Sequence, residues 1–278
     1  MKLGYSTWGM PQVAIEDAIP ALAAIGYTGV ELTVLDAWST RLESLTRDRQ
    51  RMIRDLYATH NVDLPAIAAH SPLLHTDPSS HAQSVWRVRG AMELALDLLP
   101  DDPPAINTTV GGKPEDWTTK QPLIVERVGA ICAYAAELGV DVALEPHIGS
   151  AVHTPEQTLE LIAQVNSPRL WINFDYSHFL AQGFPLEQCV RLLAPHTINT
   201  HLKGVTGREP DFEFVTPGED DYDYGREIRL MALSGYDAYQ TAEVSMHVQK
   251  RPDYDPFEHA RLAFTRLDTA MHEAGFQE

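Results

Sequence analysis

Four residues with metal-binding side chains each close a hydrophobic stretch of the chain. They are Glu145 in Ala143-Leu144-Glu145-Pro146-His147, Asp175 in Asn173-Phe174-Asp175, His201 in Asn199-Thr200-His201-Leu202-Lys203 and Glu243 in Thr241-Ala242-Glu243. Three carboxylates and one imidazole make an oxygen-rich donor set with a single nitrogen. Such a set suits Mn²⁺, Mg²⁺ or Co²⁺ better than it suits a thiolate-bound structural zinc. Neighbouring residues add acid–base chemistry. His147 follows Glu145 by two, so on a strand it shares that face and is a candidate general base or substrate contact. Lys203 stands in the same relation to His201 and could stabilise a developing oxyanion. His178, in Asp175-Tyr176-Ser177-His178, is expected on a loop above the metal, to hydrogen-bond substrate or hold a second metal. His70, Trp8 and Glu31 end earlier strand-like stretches and are expected to line the same pocket.

These residues need a scaffold that brings distant strand ends together. Short apolar stretches alternate with helical patterns along the whole chain. Strands are expected at Lys2 to Ser6, Gly29 to Val34, Leu64 to Ala69, Ala105 to Val110, Val142 to Glu145, Leu170 to Phe174, Thr197 to His201 and Tyr239 to Glu243. Helices are expected at Ile15 to Ile25, Arg47 to His60, Gln83 to Leu99, Leu123 to Leu138, 154–165, Leu186 to Leu193, Tyr224 to Leu233 and Pro256 to Ala274. Thr154-Pro155-Glu156-Gln157 carries a capping-box pattern that marks one helix start. The stretch Gly204 to Tyr222 is expected to be a long acidic loop.

Eight strand-then-helix units predict an α/β fold, a closed (β/α)8 TIM barrel forming one domain over residues 1–278. In such a barrel the active site lies at the C-terminal strand ends, where the four donors fall. Their separations of 30, 26 and 42 residues compare with the ~30 residues of one βαβ unit. No Gly-x-Gly-x-x-Gly or phosphate-binding loop supports a nucleotide-binding sheet instead.

Composition narrows the partners. A net charge of −18 opposes nucleic-acid binding. No apolar run is long enough to span a membrane, and the first residues lack a signal-peptide core, so a cytoplasmic location is expected. Cys132 and Cys189 lie in helical patterns and are expected to pack as small hydrophobes.

The motifs Gly26-Tyr27-Thr28-Gly29-Val30-Glu31, Leu144-Glu145-Pro146-His147, Phe174-Asp175-Tyr176-Ser177-His178, His201-Leu202-Lys203-Gly204, Pro217-Gly218-Glu219-Asp220, Gly235-Tyr236-Asp237 and Ala242-Glu243, in that order, carry a family resemblance. Together they resemble the sugar-phosphate isomerase/epimerase superfamily, the xylose-isomerase-like barrels. The resemblance implies that Glu145, Asp175, His201 and Glu243 bind one divalent cation, commonly Mn²⁺. In the epimerases of that superfamily, the resemblance further implies, the two ligand glutamates also shuttle protons on opposite faces of the sugar.

This chain departs from the ketose epimerases in three places. His147-Ile148-Gly149-Ser150 replaces an Asn-Arg-type segment, Arg208 is displaced by Gly207, and Glu219-Asp220-Asp221 replaces a small residue in the late loop. The Glu-Pro-His and Asp-Tyr-Ser-His-Phe motifs are similar to branches acting on 3-oxo-sugars. Those branches include the metal-binding subunit of C-glycoside deglycosidases and the inosose and dehydroshikimate dehydratases. The resemblance thus implies enolisation followed by β-elimination, with isomerisation or epimerisation as the alternative. An oligomer is expected, with a small second subunit in the deglycosidase case. The acidic loop 211–223 is a candidate pocket cover or partner contact. The AP-endonuclease branch fits less well, because Asn107-Thr108-Thr109-Val110 supplies no fourth-strand histidine and no Asp-x-His pair follows His201. A non-enzymatic sugar-binding barrel is the remaining alternative.

Overall fold

Strands with apolar side chains on both faces are stable only in a sheet covered on both sides, and a parallel sheet wrapped by helices provides this. The computed structural model describes residues 1–276. The strands are β1 (Lys2–Ser6), β2 (Gly29–Thr33), β3 (Ala66–Pro72), β4 (Ala105–Thr109), β5 (Val142–Glu145), β6 (Leu170–Asp175), β7 (Thr197–Leu202), β8 (Gly204–Arg208), β9 (Asp211–Val215) and β10 (Tyr239–Ala242). The helices are α1 (Ile15–Ile25), α2 (Arg47–His60), α3 (Pro78–Leu98), α4 (Asp116–Leu138), α5 (Pro155–Val165), α6 (Tyr176–Gln182), α7 (Leu186–Leu193), α8 (Tyr224–Leu233), α9 (Met246–Gln249) and α10 (Pro256–Glu273).

Neighbouring strands run β1-β10-β7-β6-β5-β4-β3-β2 and close back on β1. All these pairings are parallel. This is the expected (β/α)8 barrel. Its main core lies between the barrel strands and the surrounding helices, with Ile19, Leu22, Ile53, Ile67, Ile106 and Leu267 fully buried. The capping box also forms: Thr154 Oγ1 accepts from Gln157 N at 3.2 Å, and Gln157 Oε1 accepts from Thr154 N at 3.3 Å.

Register sets the height of each functional side chain. Asp175 pairs with His201, and His201 with Thr241, one residue before the Ala242-Glu243 end. Glu145 pairs with Thr109. The β3–β4 register shifts between Ala68 and Pro72, a local irregularity of the kind that re-aims side chains near active sites. His70 sits within that shift.

Three expectations need correction. The acidic loop contains an antiparallel hairpin, β8–β9, pairing Gly204 with Val215 and Arg208 with Asp211. Phe214 and Val205 of this hairpin pack on Ile148 and Ala181 in a small cluster of their own. At its tip Gly207 has φ +73, and an added Cβ would lie 2.2 Å from the Asp211 carbonyl oxygen. Second, the loop expected to carry His178 is the helix α6, capped by Asp175 itself. Third, α3 and α4 begin five and seven residues earlier than expected, at Pro78 and Asp116.

The acidic residues of 219–220 fasten this region rather than cover the pocket. Glu219 Oε2 accepts from Thr216 N at 2.7 Å, and Asp220 Oδ2 accepts from Val205 N at 3.1 Å. No helix among the described residues is long and apolar enough to cross a membrane. Cys132 and Cys189 are buried free thiols, each pushed up to about 12 by burial.

Candidate metal centre and catalytic pocket

Asp175 shows how local structure aims a ligand. It is the last residue of β6 and the N-cap of α6, so Oδ1 accepts from Ser177 N at 2.9 Å and Ser177 Oγ at 2.5 Å. Oδ2 is left facing the barrel axis, 2.7 Å from Lys203 Nζ but without an aligned hydrogen-bond donor. Glu145, His201 and Glu243 reach the same point from β5, β7 and the end of β10. Their ligand atoms and that of Asp175 all lie within 4.8 Å of one another. His201 Nδ1 is 2.8 Å from Glu243 Oε2 and 3.4 Å from Glu145 Oε1. All four residues are buried.

The charge balance of this cluster calls for a cation. Glu31, Glu145, Asp175 and Glu243 are buried together with one ammonium, Lys203. Burial, with the charges of Glu145 and Glu243, pushes Asp175 up to about 6 despite Lys203. At Glu145 burial acts upward too, but His70, His201 and Lys203 outweigh it and hold the carboxyl at about 2. Burial alone would favour neutral His201, yet the carboxylates of Glu31 and Glu243 outweigh it and raise its pKa well above the usual range. Several buried carboxylates thus gather around a single fixed positive charge. Three carboxylates, one imidazole nitrogen and an undonated carboxylate oxygen fit a divalent cation.

The cluster forms the floor of a cavity of about 400 Å³, lined by Glu145, Glu243, Lys203, His70, His147, Trp8 and the glycines Gly111, Gly112 and Gly149. A larger cavity of about 630 Å³ opens at the other end of the barrel, among the strand starts at Leu64, Ala105 and Ile198. It contains none of the four ligands.

His147 Nδ1 lies 2.7 Å from the Ile148 carbonyl oxygen, which can only accept. The ring proton therefore sits on Nδ1, and Nε2 carries the lone pair. Burial, with Lys203 adding to it against the pull of Glu145, lowers the His147 pKa below its ordinary value. Trp8 packs on Trp38 with centroids 4.9 Å apart and planes tilted by 30°, and meets His70 edge-on at 5.3 Å. His70 Nδ1 is 3.6 Å from Glu145 Oε2.

Lys203 Nζ donates to Glu243 Oε1 at 3.0 Å and to His178 Nε2 at 3.1 Å. His178 is fully buried, behind His147 and against Phe214, and does not line the cavity. Its Nε2 is 3.6 Å from Asp175 Oδ2, so it backs the ligand cluster instead of facing a substrate. Burial, reinforced by His147 and Lys203, holds its pKa well below the usual value. Glu31 also departs from expectation. It is fully buried beneath His201, with Oε1 and Oε2 at 3.0 and 3.1 Å from Nε2, and lines no part of the cavity. Arg208 sits on the exposed hairpin beside Gly183, outside the cavity.

Sequence reasoning missed a layer below the ligands. Asn107, Asn173 and Asn199 each lie two residues before Thr109, Asp175 or His201, and all three are buried. Their recurrence at one strand position was the available signal. Phe214, which stands over Lys203 with Nζ 4.8 Å from its ring centre, was hidden in the presumed loop.

With fold and site described, the class follows: the chain belongs to the xylose isomerase-like TIM barrel family, whose model matches residues 19–265. Among relatives, it is 23% identical to the fructoselysine 3-epimerase of Escherichia coli O157:H7, over 98% of this chain and 99% of that one. Among solved structures, the IolI protein with a bound zinc atom superposes with a TM-score of 0.82 at 18% identity, over the full length of both chains. The 3-keto-D-glucoside 4-epimerase YcjR of E. coli gives a TM-score of 0.77 at 13% identity, covering 97% of this chain and 99% of that one.

Proposed function

We propose that this carbohydrate-active enzyme enolises a keto-sugar with His147 as the base, and then expels a β-substituent from a 3-oxo-sugar or 3-oxo-glycoside. C-glycoside deglycosylation is one reaction of this type. The observation that carries the reading is the unprotonated nitrogen His147 Nε2, on a cavity-lining ring two residues beyond Glu145 in the turn that follows β5.

A divalent cation held by Glu145, Asp175, His201 and Glu243, Mn²⁺ in this reading, would act as a Lewis acid toward the sugar carbonyl and make the neighbouring C–H acidic. The chain supplies the rest. His147 takes the proton from the carbon beside the carbonyl onto Nε2, and its Nδ1–H to the Ile148 carbonyl holds the ring in place. The ammonium of Lys203 lies at the cavity wall and favours negative charge on the substrate oxygen. As the carbonyl reforms, a double bond forms between the deprotonated carbon and the β-carbon, and the β-substituent leaves with its bonding electron pair and takes up the proton held on His147 Nε2. Trp8 and His70 supply an apolar, edge-and-face surface for the sugar ring or its substituent.

The lining also bears on substrate class. Among the described residues lining the cavity, Lys203 is the one with a fixed positive charge, and Asp175 and Glu243 already neutralise it. With Lys203 already paired and no further fixed cation among these lining residues, the lining favours an unphosphorylated sugar. A small second subunit belongs to this reading where the leaving group is an aromatic aglycone.

A second reading, sugar epimerisation or isomerisation by two carboxylate bases, is favoured by the name of the full-length relative, a 3-epimerase. It needs Glu243 free to accept a proton, whereas both its oxygens are engaged, by Lys203 and His201. Product analysis separates the two. Incubation of the Mn²⁺-loaded protein with a 3-oxo-glycoside is expected to release the aglycone. A stereoinverted sugar without bond loss would favour the second reading.

A further inference from the structure

Glu31 is an acid inside a strand whose other residues are apolar or small, and it is wholly removed from solvent. Its carboxylate is surrounded by donors. Ser6 Oγ from β1 donates to Oε1 at 2.5 Å, and Asn199 Nδ2 from β7 donates to Oε2 at 3.2 Å. Asn107 Nδ2 from β4 donates to Oε2 as well. His201 Nε2 approaches both oxygens, at 3.0 and 3.1 Å. The amide NH₂ groups offer only protons, so an ionised carboxylate, which is acceptor-only, meets every one of these contacts. The acid is thus clamped from three strands, and its remaining contact is the ring of a metal ligand.

From this web we propose that Glu31 is the positioning residue of the metal centre. It keeps the proton of His201 on Nε2 and turns Nδ1, the nitrogen beside Glu145 and Glu243, toward the cation. A carboxylate behind a ligating histidine fixes its tautomer and raises its basicity, and losing such a partner typically weakens metal binding by about 10–100-fold. Asn173 adds to the clamp, since its Oδ1 accepts from Asn199 Nδ2 at 3.0 Å and its Nδ2 lies 3.0 Å from His201 Nδ1. The inference rests on the four-residue metal centre proposed above.

The test uses the full chain and Co²⁺ alone as probe. Glu31→Gln keeps shape but turns an NH₂ toward the donors. It is expected to bind Co²⁺ about 10–100-fold more weakly by calorimetry, with an altered visible absorption spectrum of the bound ion. Wild-type affinity together with an unchanged spectrum would overturn the inference. Should Glu31→Gln not fold, ¹⁵N NMR of the Co²⁺-free, Mg²⁺- or Zn²⁺-loaded wild type still decides it. A proton on His201 Nε2 is expected, and metal on Nε2 with a proton on Nδ1 would contradict it. Failure of the wild type to bind any divalent cation is a different outcome and sinks the metal centre itself.

Discussion

The imidazole rings of His147 and His178 lie with their centroids 3.9 Å apart and their planes inclined at 42°. A proton added to either ring would place a second charge beside the other and beside Lys203, in a buried setting that already disfavours it. The pair is therefore neutral, and His147 is the member that reaches the cavity. His147→Ala is expected to lower turnover by about 10²–10⁴, with divalent-cation affinity unchanged. Steady-state kinetics and calorimetry on the same preparation check this. Loss of the cation along with activity would make His147 a support of the metal centre, not a base.

Cation binding should be visible in stability. A ligand at ~100 times its Kd adds about 2.7 kcal/mol to the folded state. Adding Mn²⁺ to chelator-treated protein is expected to raise the melting midpoint by several degrees, and Asp175→Asn to abolish that rise. An equal rise in both proteins would place the cation elsewhere.

Glu227 on α8 is buried, and burial pushes its carboxyl up to about 8 against the lowering effect of the Tyr222 hydroxyl. The folded state therefore holds a proton that the unfolded chain releases near pH 4.5. Where the native state binds more protons, stability falls as pH rises. The contribution of Glu227 to stability is thus expected to decline between about pH 4.5 and 8 and to level above that. Glu227→Gln should flatten this slope and be the more stable protein at pH 8.5, as denaturant titration at several pH values would show. A variant with the wild-type slope would assign the decline to other groups.

Phe214 joins the hairpin to the residues around the cavity, with its ring 5.1 Å from that of His178 and 4.8 Å from the Lys203 ammonium. Phe214→Ala is expected to cost roughly 3 kcal/mol, concentrated in the hairpin, and to lower turnover. Limited proteolysis near 208–211 reads the first effect. Unchanged resistance with full activity would show that the hairpin is not coupled to the site.

The convergence of the four candidate ligands was legible because strand ends on a parallel barrel meet by geometry, so residue type and spacing place Glu145, Asp175, His201 and Glu243 together. Other features depend on information that spacing does not carry. Glu31 lies in the middle of β2, not at its end, and its inward turn beneath His201 follows from hydrogen bonds to Ser6, Asn107 and Asn199. The β8–β9 hairpin escaped because its apolar alternation, Phe212 and Phe214, is embedded among Asp, Glu, Pro and Gly. The helix α6 escaped because seven residues give little periodicity. Its start depends on Asp175 acting as a cap while also facing the cluster.

Enolisation by His147 is tested most directly by proton exchange. The Mn²⁺-loaded protein is incubated in D₂O with an unphosphorylated 3-oxo-sugar, and deuterium at the carbon beside the carbonyl is followed by NMR. The wild type is expected to wash deuterium into that position and His147→Ala to lose the exchange while still binding the cation. Exchange undiminished in His147→Ala, or absent from the wild type with every keto-sugar tried, would contradict the assignment.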